Sequence, residues 1–198
     1  MKSKVTDFQE GLSMNERYVT SFKKLEKLVR GWKERGLKVV LTSGTWDLFH
    51  VGHAEYLERS KSYGDLLIVG VDSDKKVRLR KGPHRPVVPQ LERINILCHL
   101  RHVDVVVLKP HDEEQNALIK LVRPHVLVMS KSTNHDPKDI KEKQKYVYKV
   151  VLLEPQAQTS TSAKVRLLHT SGAHRFAKEV ASRLPALMDE VMEELSKK

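Results

Sequence analysis

The chain of 198 residues predicts a doubly wound α/β domain on a five-stranded parallel sheet, with helices added at both ends. Three observations predict it. Short apolar runs such as Val39-Val40-Leu41 are continuous rather than alternating, the mark of strands buried on both faces. These runs take turns with helical patterns, and strand–helix–strand alternation implies right-handed crossovers between parallel strands. A composition of 39% hydrophobic and 31% charged residues suits one compact domain with a substantial core.

Taken in order, Val19, Phe22, Leu25, Val29 and Trp32 recur at three- and four-residue intervals. Residues 15–35 therefore read as one amphipathic helix stopped by Gly36. Residues 38–42 form the first strand, and a helix from about 51 to 63 follows, ending at Gly64. Residues 66–71 are the second strand, residues 78–86 a loop, and residues 90–100 a helix entered through Pro89. The third strand spans 103–108, a helix capped by Asp112 covers 113–122, and the fourth strand is 126–129. Asp136-Pro137 opens another helix, since aspartate caps and proline suits the first turn. Residues 150–153 are the fifth strand. A helical appendage at 173–197 carries Phe176, Val180, Leu184, Leu187, Val191 and Leu195 on one stripe and bends at Pro185. The expected division is an N-terminal helical extension over 1–36, the sheet domain over 37–170 and a C-terminal helical extension over 171–198. Packing on the sheet is the expected fate of both terminal helices, and a homodimer interface is the alternative.

Charge and cysteine use narrow the class. A net charge of +11 points either to a nucleic-acid partner or to a site that gathers anionic substrates. Aromatic residues are only 6% of the chain and none interleaves with a basic run, so no base-stacking platform is expected. The single cysteine, Cys98, excludes an intrachain disulfide and fits a reducing compartment. Its neighbours Ile94 and Leu97 place it on a helix face, as a buried thiol without a role. No run is long and apolar enough to cross a bilayer, and the N-terminus has no signal-peptide core, so a cytoplasmic protein is expected.

In a doubly wound fold, ligands bind beyond the carboxyl ends of the strands. Residues 43–53, 72–86, 130–136 and 155–162 all fall there. The first of these holds Gly44, Thr45, Trp46, Asp47, His50, Gly52 and His53 between a strand and a helix. Its glycines allow close backbone approach, and the helix start offers free N–H groups to phosphate. His50 and His53 share one side of the first turn, where imidazoles donate to phosphate oxygens and support departing charge. The plain alternative is one histidine as a cap and the other in the core.

The second segment, Arg78-Leu79-Arg80-Lys81-Gly82-Pro83-His84-Arg85-Pro86, is a basic loop stiffened by two prolines and suited to a triphosphate tail or an anionic acceptor. Lys81 is its best single candidate, with Arg80 and Arg85 beside it. Ser160, Thr161 and Ser162 precede a helix and form a hydroxyl-rich phosphate nest. Arg93 either reaches the triphosphate from its helix or makes a surface ion pair with Glu92 or a neighbour.

Together these residues resemble the cytidylyltransferase-like nucleotidyltransferase family, whose pattern GT-aromatic-D-x-x-H-x-G-H is matched from Gly44 to His53 with tryptophan at the aromatic position. The family's closing serine/threonine motif is similar to Ser160-Thr161-Ser162. The resemblance runs from about Val39 to Leu168. Within the family, the stretch from Val69-Gly70-Val71-Asp72-Ser73-Asp74 to Lys81-Gly82-Pro83-His84-Arg85-Pro86-Val87 is most similar to the adenylyltransferase domain of bifunctional heptose-phosphate enzymes. Where the family carries a glycine-aspartate pair after the fourth strand, this chain has Ser130-Lys131-Ser132-Thr133-Asn134-His135-Asp136.

The resemblance implies a Rossmann-like nucleotidyltransferase fold and transfer of AMP, or of CMP, from a nucleoside triphosphate to a phosphorylated small molecule, with pyrophosphate released. The implied acceptor is a sugar phosphate such as heptose 1-phosphate. Glycerol 3-phosphate, ethanolamine phosphate and FMN are the alternatives, and a non-catalytic nucleotide- or RNA-binding module is the alternative of a different class. It implies His50, His53, Lys81 and Arg93 as catalytic residues. Gly44 to Asp47, Gly52 and Ser160 to Ser162 would shape the nucleotide site. Arg80, Lys81, Arg85 and Lys131 would meet the acceptor. Mg2+ would arrive on the triphosphate, and a dimer is the family's usual arrangement.

Overall fold

The structure, a computed structural model, describes residues 14–131, 133, 135–155, 178–184, 188 and 192. Two compact units divide the chain at residues 158 and 159. The first contains helices α1 (Met14–Arg17) and α2 (Phe22–Glu34), then β1 (Val39–Gly44), α3 (Val51–Lys61) and β2 (Leu66–Asp72). Helices α4 (Asp74–Lys81) and α5 (Gln90–Cys98) lead to β3 (Val105–Lys109), α6 (Ala117–Val122) and β4 (Val126–Ser130), and α7 (Pro137–Gln144) precedes β5 (Lys149–Leu153).

The five strands lie in the order β3-β2-β1-β4-β5 and all pairs are parallel. This is the doubly wound α/β fold that continuous apolar runs predict. Alternate strand residues enter opposite cores. Val39, Leu41, Leu66 and Ile68 meet Leu25, Val29 and Trp32 of α2 and Leu118 and Val122 of α6. Val40, Leu67 and Val69 meet Tyr56 and Leu57 of α3 and Ile94 and Leu97 of α5. The order reverses between β1 and β4, so the crevice for a ligand opens at their carboxyl ends.

Three expectations are corrected. Residues 15–35 do not form one helix. Tyr18 bridges Val106 in parallel, and the Val19 N–H donates to the Val106 carbonyl at 3.0 Å. Tyr18 and Val19 thus cover the open edge of β3, which would otherwise expose unpaired backbone, and Ser21 caps a fresh helix by accepting from the Lys24 N–H. Residues 78–81 lie on helix α4 rather than in a loop. Ser73 caps it, Asp74 stands in its first turn and three cations stand in its last. Only Val77 of α4 is buried, so the helix left little apolar periodicity to read. Finally, the helix expected from residue 113 starts at Ala117. Glu113 instead folds its carboxylate back to accept the Leu118 N–H at 3.0 Å.

Asp136 caps α7 as expected, accepting from Lys138 N–H at 2.8 Å. Cys98 is buried, and burial pushes its thiol up to about 11, which keeps it unreactive. In the second unit, residues 178–184 are helical, and Val180 and Leu184 are exposed. Phe176, Pro185, Leu187, Val191 and Leu195 lie outside the described residues. No helix among the described residues is long and apolar enough to cross a membrane.

Gly70 shows how closely β2 is packed at the site end. A Cβ there would lie 2.6 Å from Ser43 Oγ and 2.9 Å from both Leu118 Cδ2 and Lys109 Cδ. Gly70→Ala is expected to destabilise the domain by about 1–3 kcal/mol through overpacking, read as a lower urea midpoint at unchanged slope. An unchanged midpoint would mean that these three side chains swing aside freely.

Candidate nucleotide site

The turn from β1 into α3 carries two non-glycine residues with positive φ, Trp46 at 57° and Leu48 at 46°. Left-handed backbone of this kind costs on the order of 1–3 kcal/mol per residue and survives only where its surroundings hold it. Here the surroundings are visible. The Trp46 indole is buried and donates Nε1–H to the Gly70 carbonyl at 3.0 Å. Its ring meets His53 edge-on at 5.7 Å and Tyr56 at 6.0 Å. A Cβ on Gly44 would lie 3.1 Å from that ring, so a larger residue there would press on the indole. Trp46, expected at the nucleotide, therefore contributes its ring to the core and only its backbone to the edge.

Asp47 is also turned inward. Its carboxylate accepts the Val87 and Val88 N–H groups at 2.9–3.1 Å and pairs with Arg85 Nε at 2.9 Å. Arg85 has a side chain only 14% exposed. The pair fastens the segment after α4 to the turn before α3. In the structure Arg85, expected at the acceptor, serves as a fastening cation, and Asp47, expected at the nucleotide, as its counter-ion.

His50 and His53 cap α3 reciprocally. The Gly52 N–H donates to His50 Nδ1 at 3.1 Å, and the His50 N–H donates to His53 Nδ1 at 3.4 Å. This is a capping box in which both side chains are imidazoles. Both histidines are therefore caps, where one cap and one core residue was the plain alternative. The arrangement sets their chemistry. Because each Nδ1 accepts, each neutral ring carries its proton on Nε2 and is a donor there. The rings stack at 4.0 Å. Burial, the neighbouring His50 and Lys81 hold His53 down at about 4 against the opposing pull of Asp47, so it is neutral at pH 7.

Beside this cap lies a cleft of about 730 Å³ at the carboxyl ends of the strands. Gly44, Thr45, Arg80 and Lys81 line it, as does Asp72 at the end of β2. His50 and His53 do not line it. Lys81 is the link, since it borders the cleft and its charge is felt at His53. Burial, then Arg80 and Arg85, hold the Lys81 ammonium below the ordinary lysine value, against the opposing pull of Asp72 and Asp47. A cation kept uncomfortable by other cations is relieved by an anionic ligand. Arg80 Nη2 donates to Asp72 Oδ2 at 2.8 Å and to Thr45 Oγ1 at 2.9 Å, while half of its side chain stays exposed.

Arg93 is not at the cleft. It is 1% exposed, and its guanidinium donates to the carbonyls of Val88 at 2.9 Å, Asp72 at 3.0 Å and Thr45, and to Asp74 Oδ1 at 2.6 Å. Its ionic partner is Asp74 rather than Glu92, and the pair is buried on the arginine side rather than at the surface. It ties together four segments that build the site. Lys131 pairs with Glu154 at the ends of β4 and β5 and does not border the cleft, whereas Ser130, Thr133 and His135 of the same loop do. Gly52 is buried within the cap. Ser160, Thr161 and Ser162 lie outside the described residues.

Sequence reasoning missed Lys76, Lys109, Glu113 and Asn116, which line the cleft. Lys109 ends β3 as Asp72 ends β2, so the strand-end rule could have found both. The two pair at 3.5 Å.

A cytidylyltransferase-like family model matches residues 41–183. Among curated relatives, the bifunctional protein HldE of Aliarcobacter butzleri is 41% identical over 128 residues, 65% of this chain and 26% of that protein. HldE of Wolinella succinogenes is 39% identical over 148 residues, 74% of this chain and 30% of that protein. The chain therefore spans under a third of the length of these relatives. Among solved structures, a lipopolysaccharide core biosynthesis protein from Thermoplasma volcanium matches with a TM-score of 0.53 at 26% identity, over 60% of this chain and 97% of that one. A pantoate-beta-alanine ligase from Francisella tularensis shares the fold, with a TM-score of 0.54 at 15% identity over 73% of this chain and 68% of that one.

Proposed function

Because the chain belongs to the cytidylyltransferase-like family, we propose that it transfers a nucleotidyl group, AMP in preference to CMP, from a nucleoside triphosphate to a phosphorylated small molecule. The observation that carries this reading is the histidine capping box, in which each Nδ1 accepts a backbone N–H and each Nε2 is left as the donor nitrogen at the start of α3. A phosphate oxygen of the acceptor attacks the α-phosphorus in line. As that bond forms, the bond to the bridging oxygen breaks, and its electron pair leaves with pyrophosphate. The enzyme forms no bond of its own, so its contribution is position and charge.

His50 and His53 donate to the phosphate oxygens on which charge accumulates, and Lys81 neutralises the departing tail. Arg80 supplies a second cation from the same helix. Mg2+ belongs to the substrate in this reading and would offset the charge of the triphosphate. A sugar phosphate is the favoured acceptor, on the strength of the likeness to HldE proteins and the residues from Val69 to Val87. The proposal includes a homodimer, for which light scattering on the purified chain is the test.

The experiment is pyrophosphate release across a grid of ATP and CTP against phosphomonoesters. Turnover with ATP and a sugar phosphate is expected, falling about tenfold or more in Lys81→Ala, which removes one charge-assisted contact. Absence of turnover for every pair, with tight binding of an RNA, would replace the enzyme by a binding module, the reading that the +11 charge favours.

A further inference from the structure

The wall of the cleft formed between β3 and α6 holds two buried polar atoms that make no hydrogen bond among the described residues. Glu113 has a side chain only 3% exposed, and while Oε1 accepts the Leu118 N–H, Oε2 has no hydrogen-bond partner among the described residues. The nearest cation is Lys76, at 3.5 Å. Three residues on, Asn116 sits in left-handed backbone with φ of 63°, and its Nδ2 is likewise buried without a partner. Buried donors and acceptors are matched in the great majority of cases, and one left unmatched costs about 1–3 kcal/mol. Here an acceptor held only by the Lys76 ion pair and a donor both lack a hydrogen bond among the described residues, on one irregular segment that lines the cleft.

We propose that Glu113 and Asn116 form a subsite that reads a hydroxyl group of the acceptor. This rests on the nucleotidyl-transfer reading only for the identity of the ligand as an acceptor. A hydroxyl is the small group with the chemistry for both atoms, a hydrogen to donate to Glu113 Oε2 and a lone pair to accept from Asn116 Nδ2. An ammonium satisfies Glu113 but presents hydrogens to the Asn116 amide, and it meets Lys76 as a like charge. A methyl group satisfies neither. The acceptor class is therefore a polyhydroxylated phosphomonoester, a sugar or polyol phosphate, rather than an amino-alcohol phosphate. A site with unpaired polar groups rejects an analogue lacking the matching hydroxyl more strongly than an apolar pocket rejects an added one.

Two measurements test this independently of each other. In the first, 15N-labelled protein is titrated with glucose 1-phosphate, ribose 5-phosphate and ethanolamine phosphate in the presence of a non-reacting ATP analogue. The Asn116 side-chain amide signal is assigned by its absence in Asn116→Gly, a change that suits the positive φ and so preserves the backbone. The amide is expected to shift with the sugar phosphates and not with ethanolamine phosphate. No shift with either sugar phosphate, or an equal shift with ethanolamine phosphate, overturns the subsite even if nucleotidyl transfer stands.

In the second, Asn116→Gly and Glu113→Gln are assayed by pyrophosphate release. KM for the sugar phosphate is expected to rise about tenfold, the loss of one hydrogen bond, while KM for ethyl phosphate changes by less than about twofold. Equal losses on both acceptors overturn the proposal in favour of a structural role. If the amide shifts but no acceptor turns over, the transfer reading fails and the subsite stands.

Discussion

Replacing His53 with alanine is expected to lower kcat by about 10²- to 10³-fold with ATP and a sugar phosphate, the loss typical of one donor aimed at developing charge. The argument runs through the cap. His53 Nδ1 is committed to the His50 N–H, so the proton on the neutral ring sits at Nε2. Removing the ring removes that donor and one helix cap together. His53→Asn separates the two, because a short amide oxygen can still accept the His50 N–H. If His53→Asn melts like the parent yet is as slow as His53→Ala, the ring acts on phosphate; parental rates in His53→Asn would leave it only a structural role.

The same geometry sets the pH response. His53 is held at about 4, below its ordinary value of 6.5, chiefly by burial. Its neutral form is the one that folding favours, so its contribution to stability is complete above pH 6.5. As pH falls from 6.5 towards 4, the unfolded chain binds the proton first and the contribution is lost. Histidine ring NMR should show a His53 midpoint near pH 4, and a midpoint near 6.5 would mean that the cap does not hold the ring.

Arg93→Met is expected to destabilise the first unit by about 3–5 kcal/mol, the cost of breaking a buried charged pair on one side. Asp74 would lose its ionic partner, and the Thr45, Asp72 and Val88 carbonyls would lose a donor. At this size the melting temperature should fall by roughly 10 °C. Arg93→Lys should be nearly as damaging, since an ammonium cannot reproduce the planar fork. A residue that touched the triphosphate would behave differently, with a parental melting temperature and a loss confined to kcat. Thermal melts of both variants beside their kinetics therefore decide whether Arg93 positions the site or acts in it.

The strands and the His50–His53 turn were legible because their signals are local. A buried strand announces itself by a run of apolar residues, and a helix start by donors and acceptors three residues apart. Where the reading failed, the deciding partner was distant in sequence. The helix expected over residues 15–35 breaks because Tyr18 and Val19 bond to Val106, on another strand. Helix α4 escaped notice because only Val77 needed burial, although Ser73, Asp74 and Gly82 carry capping signals. Glu113 and Asn116 looked like one end of a longer helix, and nothing nearby marks their unmatched atoms.

The sequence by itself determined the parallel α/β framework and the placement of two imidazoles at the start of α3. Both follow from short-range patterns that leave few alternatives. Only the tertiary structure decided what each cation does. Arg85 and Arg93 are drawn inward onto Asp47, Asp74 and backbone carbonyls, while Arg80 and Lys81 border the cleft. The physical reason is that the cost of burying a charge depends on the partners that surround it. Those partners come from segments brought together by the sheet, so the role of an arginine cannot be read from its neighbours in the chain.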